Sequence, residues 1–138
     1  METTGKTILL VDDNPAFLRS AQVVLESEGH RVITQTDGHI ALSALDGGLE
    51  IDLVITDYKM PGMDGLHFLG SLRARGLPVP VIMLSAQGSI ETYIKALNLG
   101  AYEFVSKPIS PTALNAIVAS ALSDTLRGRQ SAKKPHPH

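Results

Sequence analysis

Short apolar runs alternate five times with longer amphipathic stretches along this chain. Three of the runs are almost unbroken in Ile, Leu, Val and Met, which indicates strands buried on both faces of a parallel sheet. The second run is more mixed, as expected for a strand nearer the sheet edge. The pattern therefore predicts strands at residues 7–11, 31–36, 51–56, 79–84 and 102–105.

Helix signals fill the intervals between the predicted strands. Asn, Asp and Ser accept hydrogen bonds from the first free amides of a helix, proline fits its first position, and glycine commonly follows its end. The predicted N-caps are Asn14, Asp37, Asp64, Ser89 and Ser110, and prolines follow directly at Pro15 and Pro111. The predicted stops are Gly29, Gly47 with Gly48, Gly76 and Gly100.

Apolar residues at helical spacing predict which side of each helix faces the core. In the second and fourth helices this side carries Ile40, Ala41, Ala44 and Leu45, and Ile90, Ile94 and Leu97. In the other helices it carries Phe17, Ala21, Val24 and Leu25, then Leu66, Leu69 and Leu72, and finally Leu114, Ile117, Val118, Ala121 and Leu122.

Strands that alternate with helices across short loops predict right-handed crossovers and an open parallel sheet with helices on both faces. The 138 residues fit one domain with a core of its own. Beyond about Leu126 the apolar periodicity fails. We therefore predict a single α/β domain over residues 1–126, followed at 127–138 by a linker or disordered basic tail.

Composition and charge narrow the classes of function. The chain has no cysteine, a polar start without a signal-peptide pattern, and no apolar stretch near the ~20 residues that span a bilayer, so we expect a cytoplasmic protein without membrane contact. Residues 1–126 carry eight basic and fourteen acidic residues, a net charge of −6, whereas 127–138 carry four basic residues and no acid. The acidic body argues against nucleic acid binding by the domain.

Chemically active side chains follow four of the predicted strands. Asp12 and Asp13 follow the first strand, Asp57 the third, Ser85 the fourth, and Lys107 the fifth. Ligands of open α/β sheets bind outside the carboxyl ends of the strands. We therefore expect these five side chains to converge at one edge of the sheet.

Three neighbouring carboxylates repel one another unless a cation shares them. Because no histidine or cysteine joins the cluster, its oxygen ligands favour a hard ion such as Mg²⁺. Such a site suits phosphoryl transfer, in which the metal, the Lys107 ammonium and the Ser85 hydroxyl stabilise charge on the phosphoryl oxygens. One carboxylate can serve as the nucleophile and form an aspartyl phosphate.

The motifs around these residues resemble those of response-regulator receiver domains of two-component signalling, the CheY-like fold. The motifs are Val-Asp-Asp-Asn-Pro at 11–15, Thr-Asp-Tyr-Lys-Met-Pro-Gly-Met-Asp-Gly at 56–65, Leu-Ser-Ala at 84–86 and Phe-Val-Ser-Lys-Pro at 104–108. They occur in the family's order, and the resemblance covers roughly residues 6–126. It implies a doubly wound (βα)5 sandwich of the flavodoxin-like type, with a five-stranded parallel sheet of order 2-1-3-4-5.

The resemblance also implies roles for individual residues. Asp57 would be the phosphoacceptor. Asp12 and Asp13 would bind Mg²⁺ together with Asp57 and the backbone carbonyl of Lys59, and Mn²⁺ could replace Mg²⁺. Lys107 would be the lysine of the family motif.

The same resemblance implies a switch. Ser85 would be the switch hydroxyl and Phe104 the switch aromatic, here without the phenolic hydroxyl of the frequent tyrosine. Lys59 and Gln87 would tune the lifetime of the phosphoryl group, and the peptide bond before Pro108 would be cis.

By this resemblance, the chain takes a phosphoryl group from a sensor histidine kinase or a histidine phosphotransfer protein. It would catalyse only its own phosphorylation and dephosphorylation, and would change the face formed by the fourth helix, fifth strand and fifth helix. That face could also form a homodimer.

Other functions compete with this interpretation. The main alternative is a pseudo-receiver that acts as a dimerisation or docking scaffold without phosphorylation. An aspartyl-phosphate hydrolase is disfavoured because Lys59 stands where such enzymes commonly carry a second acid, and because no residues remain for a cap domain. A nucleotide or flavin site is weaker still, since the Asp-Asp-Asn-Pro loop lacks glycines for phosphate contact.

Overall fold

The structure, a computed structural model, describes residues 5–131 of the chain and the side chains of residues 5–124. Five strands and five helices alternate over this range. In chain order they are β1 (Thr7–Val11), α1 (Pro15–Glu26), β2 (Arg31–Gln35), α2 (Gly38–Asp46), β3 (Leu53–Asp57), α3 (Gly65–Ala74), β4 (Val81–Ser85), α4 (Ile90–Asn98), β5 (Glu103–Ser106) and α5 (Pro111–Ser131).

All five strands are parallel and form one sheet of order β2-β1-β3-β4-β5. The expected topology is therefore confirmed. In its register Val11 pairs with Thr56, Asp57 with Leu84, and Ser85 with Ser106. Because these pairs lie within the last two residues of each strand, the carboxyl ends of β1, β3, β4 and β5 meet at one edge.

Three of the observed strands end one residue later than predicted. β1 matches its prediction and β2 ends one residue earlier, whereas β3, β4 and β5 each end one residue later than the apolar runs do. Backbone pairing does not depend on the polarity of the side chain, so the ladders continue through Asp57 and Ser85. Both polar residues are therefore held by the sheet and do not belong to flexible loops.

Side-chain caps begin all five helices where the sequence predicts them. The Asn14 side chain accepts hydrogen bonds from the amides of Ala16 and Phe17 (2.9 and 3.2 Å). The corresponding acceptors of the other helices are the side chains of Asp37, Asp64, Ser89 and Ser110. These bonds satisfy amides that have no partner within the helix.

The core consists of two apolar layers, one on each face of the sheet. One layer contains Leu9 and Val11 of β1 and buried side chains of α2, α3 and α4. The other contains Ile8 and Leu10 of β1 and buried side chains of α1 and α5. The alternation of β1 residues between the layers follows from the two-residue period of a strand.

The predicted inner face of α4 is wrong. Ile90, Ile94 and Leu97 are 73%, 50% and 38% exposed, whereas Ala96 is fully buried. The small Ala96 lets the helix backbone lie close to the sheet, and the larger apolar residues therefore point to solvent. The apolar stripe at helical spacing marks a surface here, not the core.

The predicted inner face of α2 also differs in part from the observed one. Ile40 is 53% exposed, and Leu42, which the helical spacing did not single out, is buried beside Ala41. Similarly, Leu18 of α1 and Phe68 of α3 are buried although neither was assigned to an inner face. The remaining predicted inward residues of α1, α3 and α5 are buried or partly buried.

The last helix is longer than the apolar periodicity suggested. α5 continues to Ser131, beyond the expected domain boundary at residue 126. Residues 132–138, which carry most of the predicted tail, lie outside the described residues. Within residues 5–131 no helix combines the length and apolarity needed to cross a lipid bilayer.

Candidate functional site

The expected polar residues lie together at the carboxyl edge of the sheet. Asp12 directly follows β1, Asp57 ends β3, and Ser85 ends β4. Backbone hydrogen bonds extend the sheet to them: the Lys107 amide donates to the Ser85 carbonyl (2.9 Å), and the Asp12 amide donates to the Gln35 carbonyl (3.1 Å). These backbone hydrogen bonds thus fix the Cα positions from which the side chains extend.

Three carboxylates form a cluster at this edge. Asp12 is 1% exposed and Asp57 8% exposed, whereas Asp13 is open to solvent. One oxygen from each of the three lies within 4.8 Å of the others. Asp12 and Asp57 are therefore surrounded by protein, whereas Asp13 faces water.

Lys107 is the cation of the cluster. Its Nζ donates to Asp12 Oδ2 at 2.8 Å and lies 3.3 Å from Asp57 Oδ1. The Lys107 side chain is only 18% exposed. The second oxygen of Asp12 accepts a hydrogen bond from the Asn14 amide (2.9 Å), which fixes the carboxylate at the start of α1.

Burial and the neighbouring charges shift the pKa values of Asp57 and Lys107. Burial, followed by the charge of Asp12, raises the pKa of Asp57, although Lys107 and the Tyr58 amide act in the opposite direction. For Lys107, burial lowers the pKa, but the hydrogen bond to Asp12 and the charges of Asp12 and Asp57 outweigh it, so that its pKa is raised overall. The ammonium is thus held in its charged form.

These donor atoms fit a divalent metal ion. Three carboxylates and one ammonium leave excess negative charge, and a cation shared by the acids would remove the repulsion that disfavours ionised Asp57. The available ligand atoms are all oxygens, which matches Mg²⁺ or Mn²⁺ better than a softer metal.

Ser85 belongs to the same edge but its hydroxyl is bonded to the next loop. The residue is 3% exposed, and its Oγ donates to the Gln87 carbonyl (2.7 Å) and accepts from the Gln87 amide (3.1 Å). Gln87 itself is exposed, as is Lys59 in the loop after β3.

Phe104 of β5 is partly buried between two neighbours that sequence reasoning did not single out. Its ring meets the Tyr93 ring edge-on, with centroids 6.0 Å apart at 88°. A Cβ added to Gly88 would lie 2.8 Å from Phe104 Cε1 and 3.7 Å from the Ser85 hydroxyl oxygen. The Gly88 backbone therefore lies close to both Ser85 and Phe104, and a side chain at this position would press against the Phe104 ring.

A second contact was also missed. The Lys107 ammonium lies 4.4 Å from the centroid of the Phe17 ring. Sequence reasoning assigned Phe17 to the core only, because no spacing rule connects residue 17 with residue 107. The Lys107–Pro108 peptide bond is cis.

Comparison with known proteins gives a consistent result. The family described as the response regulator receiver domain matches residues 8–119. The transcriptional regulatory protein FixJ of Bradyrhizobium diazoefficiens is 33% identical over 120 residues, which are 87% of this chain and 58% of that protein. GlrR of Escherichia coli K12, also a transcriptional regulatory protein, is 36% identical over 118 residues, 86% of this chain and 26% of that protein. The chain thus spans less than two thirds of either relative.

Solved structures show the same fold. A CheY-like receiver domain protein of Methanospirillum hungatei superposes with a TM-score of 0.85 at 28% identity, covering 90% of this chain and 98% of the other. NtrX of Brucella abortus has a TM-score of 0.85 at 29% identity, covering 98% of this chain and 31% of NtrX.

Proposed function

This chain belongs to the family of response regulator receiver domains, and from that premise we propose that it accepts a phosphoryl group on Asp57 with the help of bound Mg²⁺. The observation that carries the proposal is the meeting of three carboxylates within 4.8 Å with the Lys107 ammonium at 2.8 and 3.3 Å from two of them. This arrangement places the acids that would bind the metal next to a cation and the proposed nucleophile.

In the proposed reaction an Asp57 carboxylate oxygen forms a bond to phosphorus. The bond between phosphorus and the donor breaks, and its electron pair leaves with the donor, a phosphohistidine nitrogen or the oxygen of a small acyl phosphate. The carboxylate must be ionised to attack, and its contact with Lys107 favours that form against the effect of burial.

The metal would be held by Asp12, Asp13, Asp57 and the backbone carbonyl of Lys59. When bound, Mg²⁺ would supply positive charge to the phosphoryl oxygens and relieve the repulsion among the acids. The exposed position of Asp13 leaves this side of the cluster open to water and to the incoming donor.

Lys107 and Ser85 would stabilise the phosphorylated state. The ammonium already lies 3.3 Å from Asp57 Oδ1, so a phosphoryl group on Asp57 comes within its reach. The Ser85 hydroxyl would leave the Gln87 carbonyl, its present acceptor at 2.7 Å, and donate to a phosphoryl oxygen instead.

This movement would start the conformational switch. When Ser85 moves towards the phosphate, space opens beside Gly88, into which the Phe104 ring can turn away from the Tyr93 edge. The change would remodel the face formed by α4, β5 and α5. Lys59 and Gln87 are both exposed and lie two residues after Asp57 and Ser85, respectively; they would tune the lifetime of the phosphoryl group.

The proposed partners are a sensor histidine kinase or a histidine phosphotransfer protein. The chain would be a signalling phosphoacceptor that turns over no free substrate. Relatives such as FixJ and GlrR are transcriptional regulatory proteins, and this chain spans only 58% and 26% of their lengths. We propose that an output of that kind is controlled by the α4, β5 and α5 face and not by nucleic acid binding of this domain.

The proposal is tested by incubation with acetyl phosphate and Mg²⁺, followed by intact mass measurement and peptide mapping. We expect one phosphoryl group on Asp57, no adduct in the Asp57→Asn protein, and no adduct when a chelator removes the metal. A phosphorylated Asp57→Asn protein would refute the assignment. An unmodified wild-type protein would favour the phosphorylation-independent scaffold.

A further inference from the structure

Phe17 holds a fixed place beside the Lys107 ammonium. The residue lies in the first turn of α1, where its amide donates to the Asn14 cap (3.2 Å). Its ring centroid is 4.4 Å from Lys107 Nζ. Phe17 and Lys107 also line one end of a groove of about 450 Å³ between α1 and the start of α5.

The ammonium therefore has two kinds of neighbour. The carboxylates of Asp12 and Asp57 attract its charge directly, at 2.8 and 3.3 Å. The face of an aromatic ring within about 6 Å attracts the same charge through its quadrupole. Unlike a third acid, the ring adds no negative charge and takes no hydrogen bond away from the reacting groups.

We propose that the Phe17 ring is a positioning residue that holds the Lys107 ammonium at Asp57 for phosphoryl transfer, an inference that rests on the proposed function. Lysine has a long flexible side chain, and ordering it costs entropy. When the phosphoryl group arrives, the contacts of the ammonium with the acids must change. The contact with the ring does not depend on the phosphoryl group and persists through that change.

A packing role has to be separated from this positioning role, because Phe17 also packs against the apolar layer of α1 and α5. A leucine can replace the packing but has no aromatic face. Tyrosine keeps the face, and the residue is partly exposed at the lining of the groove. The proposal therefore distinguishes aromatic from aliphatic replacements.

The test measures phosphorylation by acetyl phosphate as a function of donor concentration at saturating Mg²⁺. For Phe17→Leu we expect a maximal rate about two- to fivefold lower, the effect of losing a partly exposed cation–π contact. Phe17→Tyr should restore the rate. Phenylalanine analogues with increasing ring fluorination at position 17 keep the ring's shape but weaken its negative face, and the rate should fall stepwise with them.

The matched control is Val24→Ala, which alters the lining of the same groove away from the ammonium and should leave the rate unchanged. A second readout needs neither metal nor phosphate: the ring current of Phe17 should shift the ε-methylene protons of Lys107 upfield, and Phe17→Leu should abolish the shift. If the wild-type protein forms no Asp57 adduct, both the proposed function and this inference are refuted. If the adduct forms normally and the rate is insensitive to Phe17→Leu or to ring fluorination, only the inference fails.

Discussion

At the scale of single residues, Asp57 combines two conflicting demands. It ends a strand whose other four residues are fully buried, yet it carries a charge beside Asp12. Burial and the charge of Asp12 raise its pKa, so the folded chain without metal disfavours the ionised carboxylate. A metal ion at the proposed site would reduce this free-energy cost of ionising Asp57.

The first prediction concerns that cost. Asp57→Asn should raise the stability of the metal-free protein at neutral pH by an amount on the order of 1 kcal/mol, the size of one screened repulsion between like charges. The measurement is thermal or urea unfolding in the presence of a chelator. A less stable Asp57→Asn protein would show that the ion pair with Lys107 outweighs burial and repulsion.

The pH dependence has a definite sign. Since the folded state raises the pKa of Asp57, its protonated form favours folding below the unfolded value of about 4, and this contribution is lost as pH rises through the folded pKa. The advantage of Asp57→Asn should therefore appear with rising pH and vanish in acid. Asp46→Asn is the control: this exposed acid pairs with Arg75 at 2.8 Å, and its replacement should give a small loss of stability.

The second prediction concerns the metal. Mg²⁺ should stabilise the wild-type protein by about 2.7 kcal/mol at one hundred times its dissociation constant. Asp13→Asn should fold normally, because the side chain is exposed, but should need a higher Mg²⁺ concentration for the same stabilisation. Melting curves over a Mg²⁺ titration check both points, and an unchanged titration in Asp13→Asn would remove Asp13 from the proposed ligands.

At the scale of elements, α4 is anchored differently from its neighbours. It has one buried residue, Ala96, whereas α3 buries Phe68, Leu69 and Leu72. Arg73 of α3 donates to the carbonyls of Leu99 and Gly100 (3.3 and 2.8 Å) and so fixes the end of α4. The helix is thus held at one end and by a small contact, which suits an element of the proposed switch.

The third prediction tests the start of α4. Gly88→Ala would place a methyl carbon 2.8 Å from Phe104 Cε1, which is closer than two non-bonded carbon atoms can lie. The ring must move, and we expect a loss of about 1–3 kcal/mol in unfolding free energy, as for other overpacked sites. Nuclear Overhauser contacts between Phe104 and Tyr93 should weaken in the same protein.

Gly70→Ala is the matched control. Gly70 lies within α3, and a Cβ there would meet nothing within 4 Å. Because alanine favours the helix over glycine, this replacement should stabilise the protein by about 0.5–1 kcal/mol. Equal effects of the two replacements would refute the close packing of Gly88 against Phe104.

At the scale of the whole molecule, the exposed apolar residues of α4 lie on the face that the proposed switch remodels. Ile90, Ile94 and Leu97 follow one another at four and three residues, so they share one side of the helix. Clustered apolar surface of this kind commonly marks an interface. This surface is consistent with the homodimer that the family resemblance implies for the α4, β5 and α5 face.

The fourth prediction follows from this face. With Mg²⁺ and beryllofluoride the wild-type protein should dimerise. Ile94→Ser should weaken dimerisation by about tenfold or more, and the protein should stay folded because Ile94 is half exposed. Sedimentation velocity measures both. Val23→Ser on α1, 68% exposed and away from this face, should dimerise normally. A wild-type protein that stays monomeric with beryllofluoride would refute the dimer.

The sequence by itself determined the order of elements, the helix caps and the strand-end positions of the polar residues. These features are local: a cap accepts bonds from amides two or three residues away, and a buried strand shows as an apolar run. The topology then requires Asp12, Asp57 and Lys107 to meet at one edge, because parallel strands place their carboxyl ends together. The family motifs added the expected roles of these residues.

Only the tertiary structure decided which side of α4 is buried and which side chains touch across the fold. Whether Ala96 or the apolar stripe is buried depends on how close the helix lies to the sheet. The sequence of the helix alone does not determine that distance. In the same way, the contacts of Phe17 with Lys107 and of Gly88 with Phe104 join segments far apart in the chain. Their distances follow from the packing of whole elements, and local sequence does not encode them.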